Sequence, residues 1–150
     1  MEWILRNFES LTNHELYALL RLRTEVFVLE QNCLFQDMDN KDQYCYHLMG
    51  WEKDRLAAYT RLVPPGISYN EPSIGRVVTA SFARKTGMGK LLMKKSIEEA
   101  VSLFGMQPIR ISAQLYLKEF YSSFGFIQTG EIYLDDGIEH IEMLLPLQNS

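Results

Sequence analysis

The segment that most constrains the fold is residues 74–93, IGRVVTASFARKTGMGKLLM. There an apolar, strand-like run meets a turn containing Gly87 and Gly89, and an amphipathic helical pattern follows without a break. Glycines let the backbone approach a ligand closely. The first turn of a helix adds unpaired N–H groups and the positive end of its dipole. The segment therefore predicts a strand–turn–helix unit whose turn binds an anion, and phosphate suits it best.

Two familiar phosphate-binding loops do not match this turn. A P-loop needs Ser or Thr after Gly-Lys, but Leu91 stands at that position. A dinucleotide fingerprint needs a third small residue, and Leu92 occupies its place. What remains is the pattern Arg-x-x-Gly-x-Gly, with three basic residues in seven positions: Arg84, Lys85 and Lys90. The alternative that these glycines only shape a strand–turn–helix junction stays open.

Composition limits the classes of protein to consider. A chain of 150 residues that is 47% hydrophobic predicts one domain over residues 1–150, with chain enough for a core. The net charge of -4 gives no general case for nucleic acid as a partner. No apolar stretch reaches the ~20 residues that cross a bilayer, so no membrane partner is expected. Cys33 and Cys45 fit neither a metal site nor a disulfide framework, and we expect a cytoplasmic protein without metal.

Hydrophobic periodicity predicts an alternation of strands and helices. The strands are expected at residues 2–8, 44–52, 55–63, 73–79, 108–114, 127–134 and 139–145, and the helices at residues 12–29, 89–104 and 115–124. Thr12 and Glu15 form a capping-box pattern at the first helix, and Gly105 is a stop for the second. This order predicts a single three-layer α/β (α+β) domain with a mixed sheet covered by helices.

A second motif lies in register with the first and identifies a family. Residues 114–126, QLYLKEFYSSFGF, resemble the N-x-x-A-x-x-L/F-Y-x-x-x-G-F segment of the GNAT N-acetyltransferases, in which Arg-x-x-Gly-x-Gly also occurs. Gln114 replaces the usual Asn and Leu117 the usual Ala. Residues 27–33 with 36–39, and residues 136–141, resemble the ElaA branch of that family. The resemblance covers nearly the whole chain and implies a GNAT fold.

The resemblance also implies a cofactor and a set of residues that bind it. Acetyl-coenzyme A would donate the acyl group, with its pyrophosphate on the glycine turn and its acetyl and pantetheine parts along the preceding strand. The expected contacts are Val77, Val78, Thr79, Arg84, Lys85, Thr86, Gly87, Met88, Gly89, Lys90 and Gln114. By its place in the motif, Tyr121 would be the general acid for the leaving thiolate. Alternatively, Tyr121 packs with neighbouring phenylalanines as one more aromatic side chain.

The general base is less well defined by the sequence. Glu30, Asp39, His47 and His140 are candidates because each can accept a proton directly or through water. His140 and Glu30 are preferred because they lie in regions that flank the acceptor side in GNAT folds. Arg61 and Arg76 lie in strands that should be covered by other elements, so each arginine needs a partner for its charge. An internal Asp or Glu is preferred for that role over the carboxylate of a substrate. The acidic loop at residues 37–42 is expected to be exposed and solvated, with attraction of a cationic amine as the alternative.

These observations predict an N-acetyltransferase that moves an acetyl group to a primary amine by direct attack on the thioester. The acceptor, a small-molecule amine or a protein amine, is left open, as is the choice between monomer and homodimer. A catalytically silent acyl-coenzyme A sensor would need neither Tyr121 nor a base. A plain interaction module would show no stabilisation by the coenzyme.

Overall fold

The computed structural model describes residues 1–148, which contain three α-helices, eight strands and several short 3₁₀ or π-helical segments. The expected domain boundary at residue 150 lies outside the described residues. The strands are β1 (Glu2–Asn7), β2 (Tyr46–Glu52), β3 (Arg55–Val63), β4 (Ser73–Thr79), β5 (Ile109–Gln114), β6 (Ile127–Gln128), β7 (Tyr133–Asp135) and β8 (Ile138–Leu145). The helices are α1 (Asn13–Arg23), α2 (Met88–Phe104) and α3 (Lys118–Ser122). The mixture of strands and helices expected of an α/β fold is confirmed.

Helix α1 begins at the capping box that the sequence predicts. The Thr12 hydroxyl accepts from the Glu15 amide at 3.0 Å, and the Glu15 carboxylate accepts from the Thr12 amide at 2.9 Å. The expected helix over residues 12–29 is not one regular α-helix, however. It changes after Arg23 to a π-helical segment, Thr24–Glu30, with wider turns. Segments of this kind are rare in proteins, and those that occur often lie at functional sites. This one borders the cleft described below.

The strands form two four-stranded sheets that meet between β4 and β5. One has the order β1-β2-β3-β4, and the other has β5-β8-β6 with β7 also on β8; every ladder pair is antiparallel. Strands β4 and β5 begin side by side, where the Arg110 amide donates to the Pro72 carbonyl at 3.0 Å. Their C-terminal ends both line one cleft. The expected mixed sheet is thus realised as two antiparallel halves with β4 and β5 running alongside each other at the join.

Strand β4 carries a bulge next to this join. Val78 pairs with Tyr59 and Gly75 pairs with Arg61, so Arg76 and Val77 together face Thr60. Arg76 has φ +51°, in the left-handed region. An extra residue of this kind disrupts the ladder locally and bends the strand. The sequence predicts a regular strand over residues 73–79 and gives no signal of the bulge.

The C-terminal hairpin and the third helix differ from the expected ranges. The strand expected at residues 127–134 is divided into β6 and β7. Between them the Thr129 amide donates to the Glu142 carbonyl at 3.0 Å, and the Gln128 side chain donates to the Gly130 carbonyl at 2.7 Å. Asp135 pairs with Ile138, so the turn is only two residues long. The helix expected at residues 115–124 begins as a 3₁₀ turn, and α3 itself has five residues.

Helix α2 covers the first sheet with the apolar stripe that its sequence predicts. Leu92, Met93 and Ala100 are buried, and Gly105 follows the helix with φ +90°. The largest core cluster extends from Met93 to the second sheet, through Ile111, Ile141 and Met143. Among residues 1–148, the helices are all too short or too polar to cross a membrane.

Candidate active site

The glycine turn presents a row of free backbone amides. Gly87 caps helix α2 with φ +81°, a conformation that side chains with a Cβ rarely adopt. The first helical bond after it joins the Leu91 amide to the Gly87 carbonyl at 3.2 Å. Within residues 1–148, the six amides of residues 85–90 have no protein acceptor. Consecutive free amides at a helix N-terminus suit an oxyanion such as phosphate.

A cleft of about 500 Å³ runs from this turn between the ends of β4 and β5. Six of the residues expected to bind the coenzyme line it: Val77, Val78, Thr79, Arg84, Gly89 and Gln114. The other five, Lys85, Thr86, Gly87, Met88 and Lys90, do not line the cleft and form the turn at its mouth. Met88 also packs towards the core beside Leu92. The opposite wall comes from the π-helical segment, through Val26, Phe27 and Glu30.

Arg84 and Glu30 meet across this cleft. An Arg84 guanidinium nitrogen lies 2.8 Å from a Glu30 carboxylate oxygen, and a second one is 3.3 Å from the Thr79 carbonyl. Both side chains are more than one third exposed, so the pair is worth little in water. The geometry places Glu30 on the side of the glycine turn, and it does not line the cavity on the far side of Tyr121.

A second, smaller cavity of about 140 Å³ continues from the cleft. The residues that line both are Phe27, Gln31, Val77, Gln114, Leu117 and Tyr121. This inner cavity opens in turn towards a third, more polar one of about 550 Å³, which shares Arg76, Ser112 and His140 with it. Because neighbouring spaces share these lining residues, we call the three together the passage: Gly89 lines the cleft, Tyr121 borders the cleft and the inner cavity, and His140 lines the inner and third cavities.

Tyr121 combines a buried side chain with a hydroxyl that has no hydrogen-bond partner among residues 1–148. Its ring packs edge-on against Phe120 and Phe126, with centroids 5.2 and 6.0 Å away, as the packing alternative expected. The same residue nevertheless lines both the cleft and the inner cavity. Burial raises the pKa of Tyr121 to about 12, helped by the nearby Tyr116. The hydroxyl therefore keeps its proton at neutral pH and can donate a hydrogen bond.

His140 has the tautomer of a base. Its Nδ1 lies 2.7 Å from the Ile138 carbonyl oxygen, which can only accept, so Nδ1 carries the proton of the neutral ring. Nε2 is left with a free lone pair. The ring stacks on Tyr133 at a centroid distance of 5.9 Å, which holds its orientation.

The two other candidates for the base are engaged elsewhere. His47 is fully buried, with Nδ1 at 2.7 Å from the Tyr59 hydroxyl and Nε2 at 2.9 Å from the Asp42 carbonyl. Burial lowers the pKa of His47 and keeps the ring neutral. Although burial alone would raise the pKa of Asp39, hydrogen bonds and charge from Arg61 hold that pKa far below its usual range. Neither residue is suited to take a proton from an amine.

The acidic loop at residues 37–42 is not the exposed, solvated loop expected from its sequence. Asp37 and Asp42 are buried, and the aspartates of the loop bind arginines of the interior. Arg61 pairs with Asp39 and Asp42, and Arg76 pairs with Asp37 and Asp39. The expectation that these arginines have internal carboxylate partners is therefore confirmed. Because the loop's charges are matched within the protein, they are not free to attract a cationic amine.

Sequence reasoning missed several residues of the passage. Phe27 and Gln31 line the cleft and the inner cavity, and the Gln114 amide lies 3.4 Å from the Gln31 side-chain oxygen. Asp135 and Asp136 border the inner cavity from the last hairpin. The segments that resemble the ElaA branch contain Phe27, Gln31 and Asp136, so the resemblance marked these regions without giving their roles.

The residues of the cleft fit an acyl-coenzyme A. Its pyrophosphate would meet the free amides of residues 85–90 and Arg84, and the cleft between β4 and β5 has the polar strand ends and apolar walls that a pantetheine arm requires. The bulge leaves Val77 without a partner on β3, next to the point where the cleft joins the inner cavity.

Comparison with known proteins gives a family and close relatives. A model of the acetyltransferase (GNAT) domain family matches residues 11–147. Protein ElaA of Escherichia coli is 40% identical over 145 residues, which cover 95% of each chain. These similarities extend over both motifs and over the acidic loop.

Solved structures agree with the sequence comparison. The crystal structure of an acyl-CoA N-acyltransferase from Pseudomonas aeruginosa superimposes with a TM-score of 0.91 at 42% identity, covering 96% of this chain and 99% of that one. The crystal structure of Escherichia coli ElaA gives a TM-score of 0.88 at 39% identity, with the same coverage.

Proposed function

Since the chain belongs to the GNAT acetyltransferase family, we propose that it transfers an acetyl group from acetyl-coenzyme A to a primary amine by direct attack on the thioester. The acceptor is a small-molecule amine or a protein amine. The observation that carries the proposal is the position of Tyr121, which borders both the cleft from the glycine turn and the inner cavity that contains His140.

Each end of the passage has a separate task in this proposal. The amides of residues 85–90 and Arg84 bind the pyrophosphate, and Val77, Val78, Thr79 and Gln114 contact the pantetheine arm. The bound coenzyme supplies the acyl group as an activated thioester. The amine enters from the side of the third cavity, so that donor and acceptor meet beside Tyr121 and need not exchange places.

Three groups of the protein then act on the reacting atoms. His140 Nε2 takes the proton that the amine must lose to attack, directly or through water. The Val77 amide donates to the thioester oxygen, where negative charge develops. The Tyr121 hydroxyl donates a hydrogen bond to the departing sulfur. With a pKa of about 12 against roughly 8.5 for a thiol, tyrosine stabilises the thiolate better than it protonates it.

An amine panel tests the proposal. The protein is incubated with acetyl-coenzyme A and with diamines, amino acids, aminoglycosides and lysine peptides, and product is identified by mass spectrometry alongside release of free thiol. We expect an acetylated amine for at least one class, and its loss in the Tyr121→Phe, His140→Asn double variant. Tight coenzyme binding with no acetylated product across the panel would support the sensor and contradict the proposal.

A further inference from the structure

Six buried or half-buried charges form a closed ring beside the bulge of β4. Arg76 bonds to Asp37, Asp37 to Arg23, Arg23 to Asp42, Asp42 to Arg61, Arg61 to Asp39, and Asp39 returns to Arg76. The distances are 2.7–2.9 Å for five contacts and 3.4 Å for the last. We call these residues the charge ring.

The charge ring ties the acidic loop to three separate elements. Arg23 ends α1 immediately before the π-helical segment, Arg61 lies in β3, and Arg76 lies at the bulge of β4. All three carboxylates come from the loop. Strand β4 supplies one wall of the cleft, and the π-helical segment that continues from Arg23 supplies the opposite wall, so the loop connects both walls to β3.

Arg76, the strained residue of the bulge, is attached to the loop by two hydrogen bonds to Asp37. Arg76 donates from Nε to an Asp37 carboxylate oxygen at 2.9 Å and from a terminal nitrogen to the Asp37 carbonyl at 2.8 Å. Its backbone has φ +51°, which is unfavourable for a residue with a Cβ. Such a conformation persists only where the surroundings impose it. Two hydrogen bonds from one planar guanidinium fix both the position and the rotation of the bulge.

We infer that Asp37 is a positioning residue for the reaction: through Arg76 it fixes the bulge of β4 and thereby aims the Val77 amide at the thioester oxygen. This inference rests on the proposed function. Asp37 is absent from the linings of the cleft and of both cavities, so it acts only through its arginines. Displacement of the donor by even an ångström would weaken a hydrogen bond made mainly as charge develops on that oxygen.

A role in stability alone explains the charge ring less well. Buried ion pairs repay their desolvation poorly, and well-packed apolar residues often replace them without loss. The carboxylates are also shared, because Asp37 keeps Arg23 and Asp39 keeps Arg61 when Arg76 is removed. Loss of Arg76 therefore leaves no carboxylate without an arginine, and its main effect falls on the bulge.

Two variants and a matched control test the inference. Asp37→Asn removes the charge that binds Arg76, and Arg76→Gly removes the guanidinium while accepting the positive φ. The control is Glu71→Gln, whose carboxylate binds Arg110 through two oxygens at 2.9–3.0 Å and does not line the passage. Amide hydrogen exchange is followed by NMR or mass spectrometry in the free protein, and steady-state kinetics with acetyl-coenzyme A and a competent amine are measured separately.

We expect exchange at residues 75–79 to quicken at least tenfold in Asp37→Asn and Arg76→Gly, while the strands β5 and β8 keep their parent rates. The kcat should fall at least tenfold while the Kd for coenzyme A changes less than twofold. Glu71→Gln should change neither. If Asp37→Asn does not fold, Arg76→Gly decides the matter alone.

Two results would overturn the inference. One is an unchanged exchange rate at residues 75–79, and the other is an equal acceleration in every strand, which would mean that the ring serves global stability only. Absence of turnover in the parent protein would defeat the proposed function instead, and the exchange measurement would still decide whether the charge ring holds the bulge.

Discussion

Replacement of Tyr121 by Phe isolates the hydroxyl, since the ring and its edge-on packing against Phe120 and Phe126 are kept. Within residues 1–148 the hydroxyl has no protein hydrogen-bond partner, so none is lost in the free protein. We therefore expect the free energy of unfolding to change by less than about 1 kcal/mol. The Kd for coenzyme A should also stay near its parent value, because the interaction strengthens only as the sulfur gains charge.

The effect on the rate follows from the strength of one hydrogen bond to a charged atom. Such a bond contributes about 1.5–3 kcal/mol. At about 1.4 kcal/mol for each factor of ten, kcat should fall roughly 10- to 150-fold. A loss above about 10³-fold would instead indicate that tyrosine transfers its proton completely, in the upper range of general acid catalysis.

The assay measures thiol release with an amine found in the panel, under single-turnover conditions so that chemistry limits the observed rate. Tyr116→Phe is a matched control, because Tyr116 lines the cleft, is 73% exposed and does not line the inner cavity. We expect the control to keep the parent rate within about twofold. An unchanged single-turnover rate for Tyr121→Phe would refute the role of the hydroxyl.

Four further predictions concern the turn, the mouth of the cleft, the base and the stability of the fold. Gly87→Val should weaken acetyl-coenzyme A binding by roughly tenfold or more, about 1.4 kcal/mol, as measured by calorimetry on the folded protein, whereas Gly87→Asn should lose less affinity because Asn tolerates a positive φ. Equal affinities for the parent and Gly87→Val would contradict the assignment of this turn as the pyrophosphate site. Glu30→Gln should tighten coenzyme binding up to about fivefold by releasing Arg84 from an exposed ion pair, and weaker binding would contradict this. His140→Asn keeps a donor for the Ile138 carbonyl but provides no base, so kcat should drop about 10²-fold; an unchanged kcat would exclude His140 as the base. Burial lowers the pKa of His47 in the folded state, so below about pH 6.5 the unfolded chain binds more protons than the folded protein. The urea concentration at the unfolding midpoint should therefore be lower at pH 5.5 than at pH 7.5, and a higher midpoint at pH 5.5 would contradict the lowered pKa.

The two motifs were the most informative part of the sequence because their chemistry is local. A glycine turn before an amphipathic helix, and the segment ending in Gly125 and Phe126, each depend on neighbours along the chain. The start of α1, the α2 stripe and the order of strands and helices along the chain followed from hydrophobic period and capping, which are also local.

Features that depend on distant residues were not predictable in this way. The bulge at Arg76 is set by register with β3 and by Asp37, which lies 39 positions earlier in the chain. The sequence of the acidic loop predicts a solvated loop because its three arginine partners, Arg23, Arg61 and Arg76, lie far from it and from one another along the chain. The π-helical segment has no signal that separates it from an α-helix. In each case the tertiary partner, and not the local pattern, decides the structure.

The most direct test of the account is a crystal structure of the protein with acetyl-coenzyme A. We predict the pyrophosphate on the amides of residues 85–90, the thioester oxygen within about 3 Å of the Val77 amide nitrogen, and the sulfur within about 3.5 Å of the Tyr121 oxygen. Coenzyme bound outside the cleft between β4 and β5, or with its sulfur more than about 6 Å from Tyr121, beyond hydrogen-bond reach, would contradict the account.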